Sequence, residues 1–118
     1  MELKIDDFKE IFVELKKTAK EKKEILIELD SAMGDGDLGI TMEKAFNAAE
    51  EVSAEYEGEN IGELLKKAGF AMANKAAATM GTLTATAFIR AGSAADGHKT
   101  VDYDKIIVMF EKGIEGIK

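Results

Sequence analysis

Apolar side chains recur at spacings of three and four residues along almost the whole chain, and no proline interrupts them. Phe8, Ile11, Phe12, Leu15 and Ala19 form one such row, and Ile25, Leu26, Leu29 and Ala32 a second after a Lys/Glu-rich turn. Met42, Ala45, Phe46, Ala49 and Val52 give a third, Ile61, Leu64, Leu65, Ala68 and Met72 a fourth, and Ile106, Ile107, Phe110, Ile114 and Ile117 the last. This is the period of an α-helix with one buried face, so the chain is expected to be all-α, an antiparallel helical bundle of about five helices. Ile25-Leu26-Ile27-Glu28-Leu29 has the composition of a short strand, but no second β-rich run exists to pair with it, and helix is expected there too. At 118 residues there is room for one core, and residues 1–118 are read as one domain.

Local signals set the helix ends. Asp6 is the expected cap of the first helix, and Asn60-Ile61-Gly62-Glu63 has the spacing of a capping box. Gly81 is expected to interrupt one helix and open another that runs through Phe88 and Ile89. Ala95-Asp96-Gly97-His98-Lys99 reads as a loop, with His98 exposed. The single arginine, Arg90, falls mid-helix, where pairing with a carboxylate is expected.

Composition removes whole classes of chemistry. The chain has no cysteine, so thiol catalysis, disulfides and Cys-ligated metals are excluded, and any metal must sit on oxygen donors. Its formal net charge of −7 argues against a nucleic-acid or anionic-membrane partner. No apolar stretch is long enough for a bilayer and no signal-peptide core follows Met1, so the cytoplasm is the expected location.

The periodicity breaks at Met33-Gly34-Asp35-Gly36-Asp37-Leu38-Gly39, where glycines and aspartates favour a tight turn with unusual backbone angles. The stretch formally matches the G-x-G-x-x-G dinucleotide fingerprint, but two carboxylates at the turn would repel a pyrophosphate unless a cation stood between them. An EF-hand fails at its later positions, since its glycine would be Ile40 and its closing glutamate Phe46. Asp35 and Asp37, one glycine apart, can instead converge on a hard cation with Asp30 just upstream. Mg2+ favours a few carboxylates completed by water and phosphate oxygens, so such a cluster suits a phosphorylated ligand. The competing reading is a plain helical corner in which one aspartate caps the following helix and the others are solvated. A second candidate is Thr79-Met80-Gly81-Thr82, where N–H groups at a new helix start, with hydroxyls nearby, could take a phosphate. Close packing of small residues explains the same stretch without a ligand.

Leu29-Asp30, Met33 through Met42, and Ala45-Phe46 together resemble the aspartate-rich signature of the dihydroxyacetone kinase L subunit, or Dak2 domain. The run from Ala77 to Phe88 is similar to that family's nucleotide-phosphate segment. The resemblance implies part of an antiparallel eight-helix barrel that binds ADP or ATP at one end. It also implies two Mg2+ ions held by Asp30, Asp35 and Asp37, with nucleotide contacts from Leu38, Thr41, Thr79, Met80, Gly81 and Thr82. Several motif positions differ: the family's histidine is Leu38 here, its asparagine Thr41, its paired glycines Ala77 and Ala78, its serine Met80 and its proline Thr82. The implied activity is phosphoryl transfer to dihydroxyacetone held by a separate K subunit (DhaK-like), with no protein nucleophile on this chain. Because the resemblance reaches only the first part of the family's domain, an apolar face is expected to need covering. A homodimer or a chain supplying the remaining helices would do so. The alternative is a catalytically silent assembly module derived from the same domain.

Overall fold

The structure, a computed structural model, describes residues 2–32, 36–77 and 79–117. Six helices and one short strand pair make up these residues: β1 (Glu2–Lys4), α1 (Ile5–Glu21), α2 (Lys23–Ser31), α3 (Leu38–Glu55), α4 (Ile61–Lys75), α5 (Thr79–Ala94), β2 (Thr100–Asp102) and α6 (Tyr103–Ile117). The all-α expectation therefore holds. The added strands pair antiparallel, Leu3 opposite Val101; at three residues each they are too short to leave a periodic signal in the sequence.

Contacts along the helices fix their directions. Lys9 Nζ of α1 donates to Tyr56 O just past α3, while Lys16 pairs with Glu50 at 3.4 Å and Lys23 with Glu43 at 3.0 Å. Rising numbers on α1–α2 meet falling numbers on α3, so α1 and α3 are antiparallel. In the same way Gly62 faces Gly92 and Asp96, Gly69 faces Ala85 and Ile89, and Gly81 faces Ala76, so α4 and α5 are antiparallel. Gly113 and Gly116 of α6 lie against Ala87 and Arg90 of α5, and Lys105 Nζ donates to Ala94 O at 3.3 Å, which makes α6 antiparallel to α5. One end of the bundle thus gathers both strands and the 56–60 and 95–99 loops. The other gathers α2 and the N-termini of α3 and α5.

The most buried helix is α4, with Ile61, Leu64, Leu65, Ala68 and Met72 all inside. Small residues let its neighbours approach: Ala45, Ala48 and Ala49 form the buried row of α3. Phe88 joins the sides of the core, its ring 5.6 Å from Phe12 of α1 and 6.3 Å from Phe46 of α3. Offset and edge-on aromatic pairs of this kind add about 1 kcal/mol each beyond burial.

Several local expectations are corrected. Asp6 does not cap α1: the cap position is Lys4, whose N–H donates to the Asp7 carboxylate of the first turn at 2.9 Å, because the helix starts at Ile5, two residues earlier than a cap at Asp6 requires. The α4–α5 break precedes Gly81, which is buried in the first turn of α5 against Ala76 O, so the glycine serves close approach and not the interruption. Arg90 makes no ion pair among the described residues, and its aliphatic stem lies along Gly116. Most informative is α2, which forms as expected but buries none of its residues. Ile25 is 49% and Leu29 66% exposed, since no other described element covers their side of the helix.

Asn60 caps α4 as expected, its Oδ1 accepting from Glu63 N–H at 3.1 Å, and it also takes Gly97 N–H at 2.9 Å. The return half of the capping box is relayed by a residue that the sequence did not single out. Asn60 N–H donates to Tyr56 Oη at 3.2 Å, and that hydroxyl donates onward to Glu63 Oε1 at 2.9 Å. Burial, then the bond to Glu63, holds the Tyr56 phenol above its ordinary pKa of 10.0. A phenol with a raised folded-state pKa stabilises the fold fully below the unfolded value, and that contribution is lost as pH rises through the folded one. Tyr56→Phe is therefore expected to flatten the fall in stability above about pH 10 relative to the wild type. Urea unfolding at pH 8 to 11 checks this, and parallel alkaline limbs in the two proteins would refute it.

Candidate functional site

The corner between α2 and α3 is held by two glycines. Gly36 has φ +79°, open to L side chains only with strain. Gly39 lies against Lys23 O and Ile27, where a Cβ would come within 2.9 Å of Ile27 Cγ1, so only glycine lets α3 start this close to α2. As a result Asp30, near the end of α2, reaches the start of α3, and its Oδ2 accepts from Leu38 N–H at 3.3 Å. Leu38 adjoins Asp37, whose carbonyl accepts from Thr41 N–H at 2.9 Å to open the α3 ladder.

This geometry bears on both readings of the corner. An aspartate does cap α3, but it is Asp30 reaching back from the preceding helix, while the Asp37 side chain makes no cap bond. A carboxylate offers about four acceptor directions, so one bond to Leu38 N–H leaves Asp30 able to ligate a cation as well. Asp35, the third expected ligand, lies outside the described residues, among which no group of three potential ligands occurs. Asp30 and Asp37 supply the hard oxygen donors that Mg2+ prefers, and in chemical type the corner fits that ion.

The nucleotide-binding candidates divide. Leu38 is half-buried at the corner, and Thr41, one turn further along α3, is buried at 6% exposure. Thr79, Met80, Gly81 and Thr82 form the first turn of α5, where backbone N–H groups lack partners within the helix. Met80 and Thr82 are exposed and Gly81 is buried. Thr84 and Thr86 turn their hydroxyls back to Met80 O at 2.7 Å and Thr82 O at 2.9 Å, so the polar groups this turn offers are its backbone N–H groups and the exposed Thr82. The antiparallel topology carries the α2–α3 corner and the start of α5 to the same end of the bundle. His98 is exposed at the opposite end, its Nδ1 3.2 Å from Asp96 O.

Sequence reasoning assigned Ile25 and Leu29 to the core, and the structure leaves both exposed on the helix that carries Asp30. Periodicity could not reveal this, because it reports that a helix has an apolar face and not whether anything covers it.

An all-helical domain with an acidic glycine corner at one end is thereby defined. The chain belongs to the DAK2 domain family, whose model matches residues 32–118. It is 34% identical over 99 residues to the ADP-binding subunit DhaL of PEP-dependent dihydroxyacetone kinase 1 from Listeria innocua, covering 84% of this chain and 50% of that protein. It is 29% identical over 96 residues to the ADP-binding subunit DhaL of the PEP-dependent dihydroxyacetone kinase of Escherichia coli K12, covering 81% of this chain and 46% of the relative. The chain thus spans about half the length of the curated relatives it matches. Among the described residues no helix is long and apolar enough to cross a membrane.

Proposed function

We propose that this chain is the Mg2+-dependent ADP- or ATP-binding part of a dihydroxyacetone kinase-like phosphotransferase of the cytoplasm, and that residues 1–118 form part of a larger DAK2 domain. The observation that carries the reading is Asp30 drawn to the start of α3 beside Asp37, in a family whose curated relatives are named ADP-binding subunits.

Asp30, Asp35 and Asp37 would hold Mg2+, two ions in the full arrangement, leaving positions open for phosphate oxygens. Bound there, the metal supplies charge neutralisation for the phosphate chain. The first turn of α5, with Thr79, Met80, Gly81 and Thr82, would orient the phosphates through backbone N–H groups, and Leu38 and Thr41 would shape the wall between. The acceptor alcohol would be held by a DhaK-like subunit, so this chain binds and orients and has no need of a nucleophile. A catalytically silent assembly module is the second reading, favoured by the apolar face left open between α1 and α6. Either a second copy or another chain would cover that face.

Calorimetric titration with ADP separates the two. Binding is expected with Mg2+ and not with EDTA, and Asp35→Asn should abolish it. Binding indifferent to EDTA and to that substitution would overturn the metal claim, and absence of any binding would favour the assembly module.

A further inference from the structure

Two consecutive side chains at the end of α2 face the turn into α3. Asp30 reaches past the turn, its Oδ2 accepting from Leu38 N–H at 3.3 Å. Ser31, the last residue of the helix, closes on the turn itself. A Cβ built on Gly36 would lie 2.6 Å from Ser31 Oγ, and the next nearest atoms, at 3.8 and 4.0 Å, are again those of Ser31. Gly36 directly precedes Asp37 and has φ +79°, so the side of its backbone where an L side chain would stand is turned to the serine hydroxyl.

That hydroxyl is not spent within its own helix. Serine and threonine inside helices often bond back to the carbonyl four residues earlier, and Thr84, Thr86 and Ser93 of α5 do so at 2.7, 2.9 and 3.2 Å. Ser31 makes no such bond to Ile27 O, nor any other side-chain hydrogen bond among the described residues. It is also exposed, on the side of the corner open to an arriving ion. A hydroxyl donates one hydrogen bond and accepts two, so it suits either a carboxylate oxygen or a water. Mg2+ keeps several waters when a few carboxylates bind it, and ligating carboxylates are themselves held by hydrogen bonds from outside. For Asp30 that outer bond is already present in Leu38 N–H.

We propose that Ser31 is a positioning residue of the cation corner, its hydroxyl hydrogen-bonding an oxygen in the shell of the bound Mg2+. Asp30 then ties α2 to the first residue of α3, and Ser31 ties α2 to the turn that leads into Asp37, so two neighbours on one helix fix the corner from the same side. Ser31 holds this role only if the corner binds Mg2+, and so rests on the function proposed above. The competing role is packing alone, in which a small side chain is needed beside Gly36 and the hydroxyl is incidental.

The test is calorimetric titration of Mg2+ in the presence of ADP, on the wild type and on Ser31→Ala, Ser31→Thr and Ser31→Val. Threonine and valine have the same shape and differ by a hydroxyl against a methyl, so that pair separates hydrogen bonding from size. Ser31→Ala and Ser31→Val are expected to weaken Mg2+ binding about tenfold, the lower end of what outer hydrogen-bond partners of a metal are worth, and Ser31→Thr to stay within about threefold of the wild type. Melting temperatures in EDTA should match for the wild type and Ser31→Ala, which shows that the metal-free corner is intact. Wild-type Mg2+ affinity in Ser31→Ala, or equal losses in the threonine and valine variants, would overturn the proposal. A wild type whose ADP binding ignores EDTA would remove the Mg2+ corner itself and this role with it, and the wild-type titration alone tells that failure from the others.

Discussion

Asp30→Asn is expected to weaken Mg2+-dependent ADP binding at least about 100-fold while leaving the metal-free fold nearly unchanged, because asparagine keeps the oxygen that Leu38 N–H needs and loses only the charge. Substitutions one shell outside a metal already cost about 10- to 100-fold, so if Asp30 ligates the metal as proposed, neutralising it should cost at least as much. Two charge effects on the apo protein oppose each other. A carboxylate near the start of α3 is favoured by that helix's dipole, and the same carboxylate near the end of α2 is disfavoured by the other, each by about 0.3–1 kcal/mol. Asp30→Ala differs in removing the acceptor as well, and should cost about 1 kcal/mol of stability as a lost helix cap. Calorimetry with thermal unfolding of both variants checks the pair. If Asp30→Asn binds Mg2+-ADP like the wild type, Asp30 is a cap and nothing more.

Gly62→Ala should be among the most damaging single substitutions in the bundle, lowering stability by about 2–3 kcal/mol and the melting temperature by about 10 °C. A Cβ at position 62 would lie 2.5 Å from both Asp96 N and Gly92 O and closer still to Asp96 Cα, so it meets backbone, which cannot swing aside. The α4–α5 crossing would have to open, and Ile61, Leu64 and Leu65 next to it lie in the core. Gly97→Ala is the instructive comparison. Its φ of +82° strains an L residue, but nothing lies within 4 Å of the added carbon, so only the backbone penalty of about 1 kcal/mol applies. Melting curves for the two variants should differ by several degrees, and equal losses would mean the crossing relaxes more easily than its backbone contacts indicate.

Much of the architecture was legible because it rests on local rules. The rows ending in Ala19, Val52, Met72 and Ile117 became α1, α3, α4 and α6, and the Asn60 signal became a real cap. The Gly–Asp corner was recognisable by residue type, and its glycines sit where the geometry requires them, Gly36 by its angle and Gly39 by close approach. Other features depend on partners remote in the chain. β1 and β2 pair residues about a hundred positions apart, and Lys9 of α1 reaches Tyr56 O across the bundle. Similarly, the apolar row of α2 indicated a buried helix, and the fold leaves it exposed beside Asp30.

Helical periodicity, the absence of proline and cysteine, and the aspartate spacing determined an all-α chain whose only plausible metal chemistry uses carboxylates, since each of these is a property of neighbouring residues. Only the tertiary structure decided that Asp30 folds over the start of α3, that the first turn of α5 comes to the same end, and that an apolar groove lies between α1 and α6. Those outcomes turn on which helix faces meet and at what separation. That choice is made by Gly39, Gly62, Gly69 and Gly81 allowing close approach at some crossings while the α1/α6 side is left uncovered.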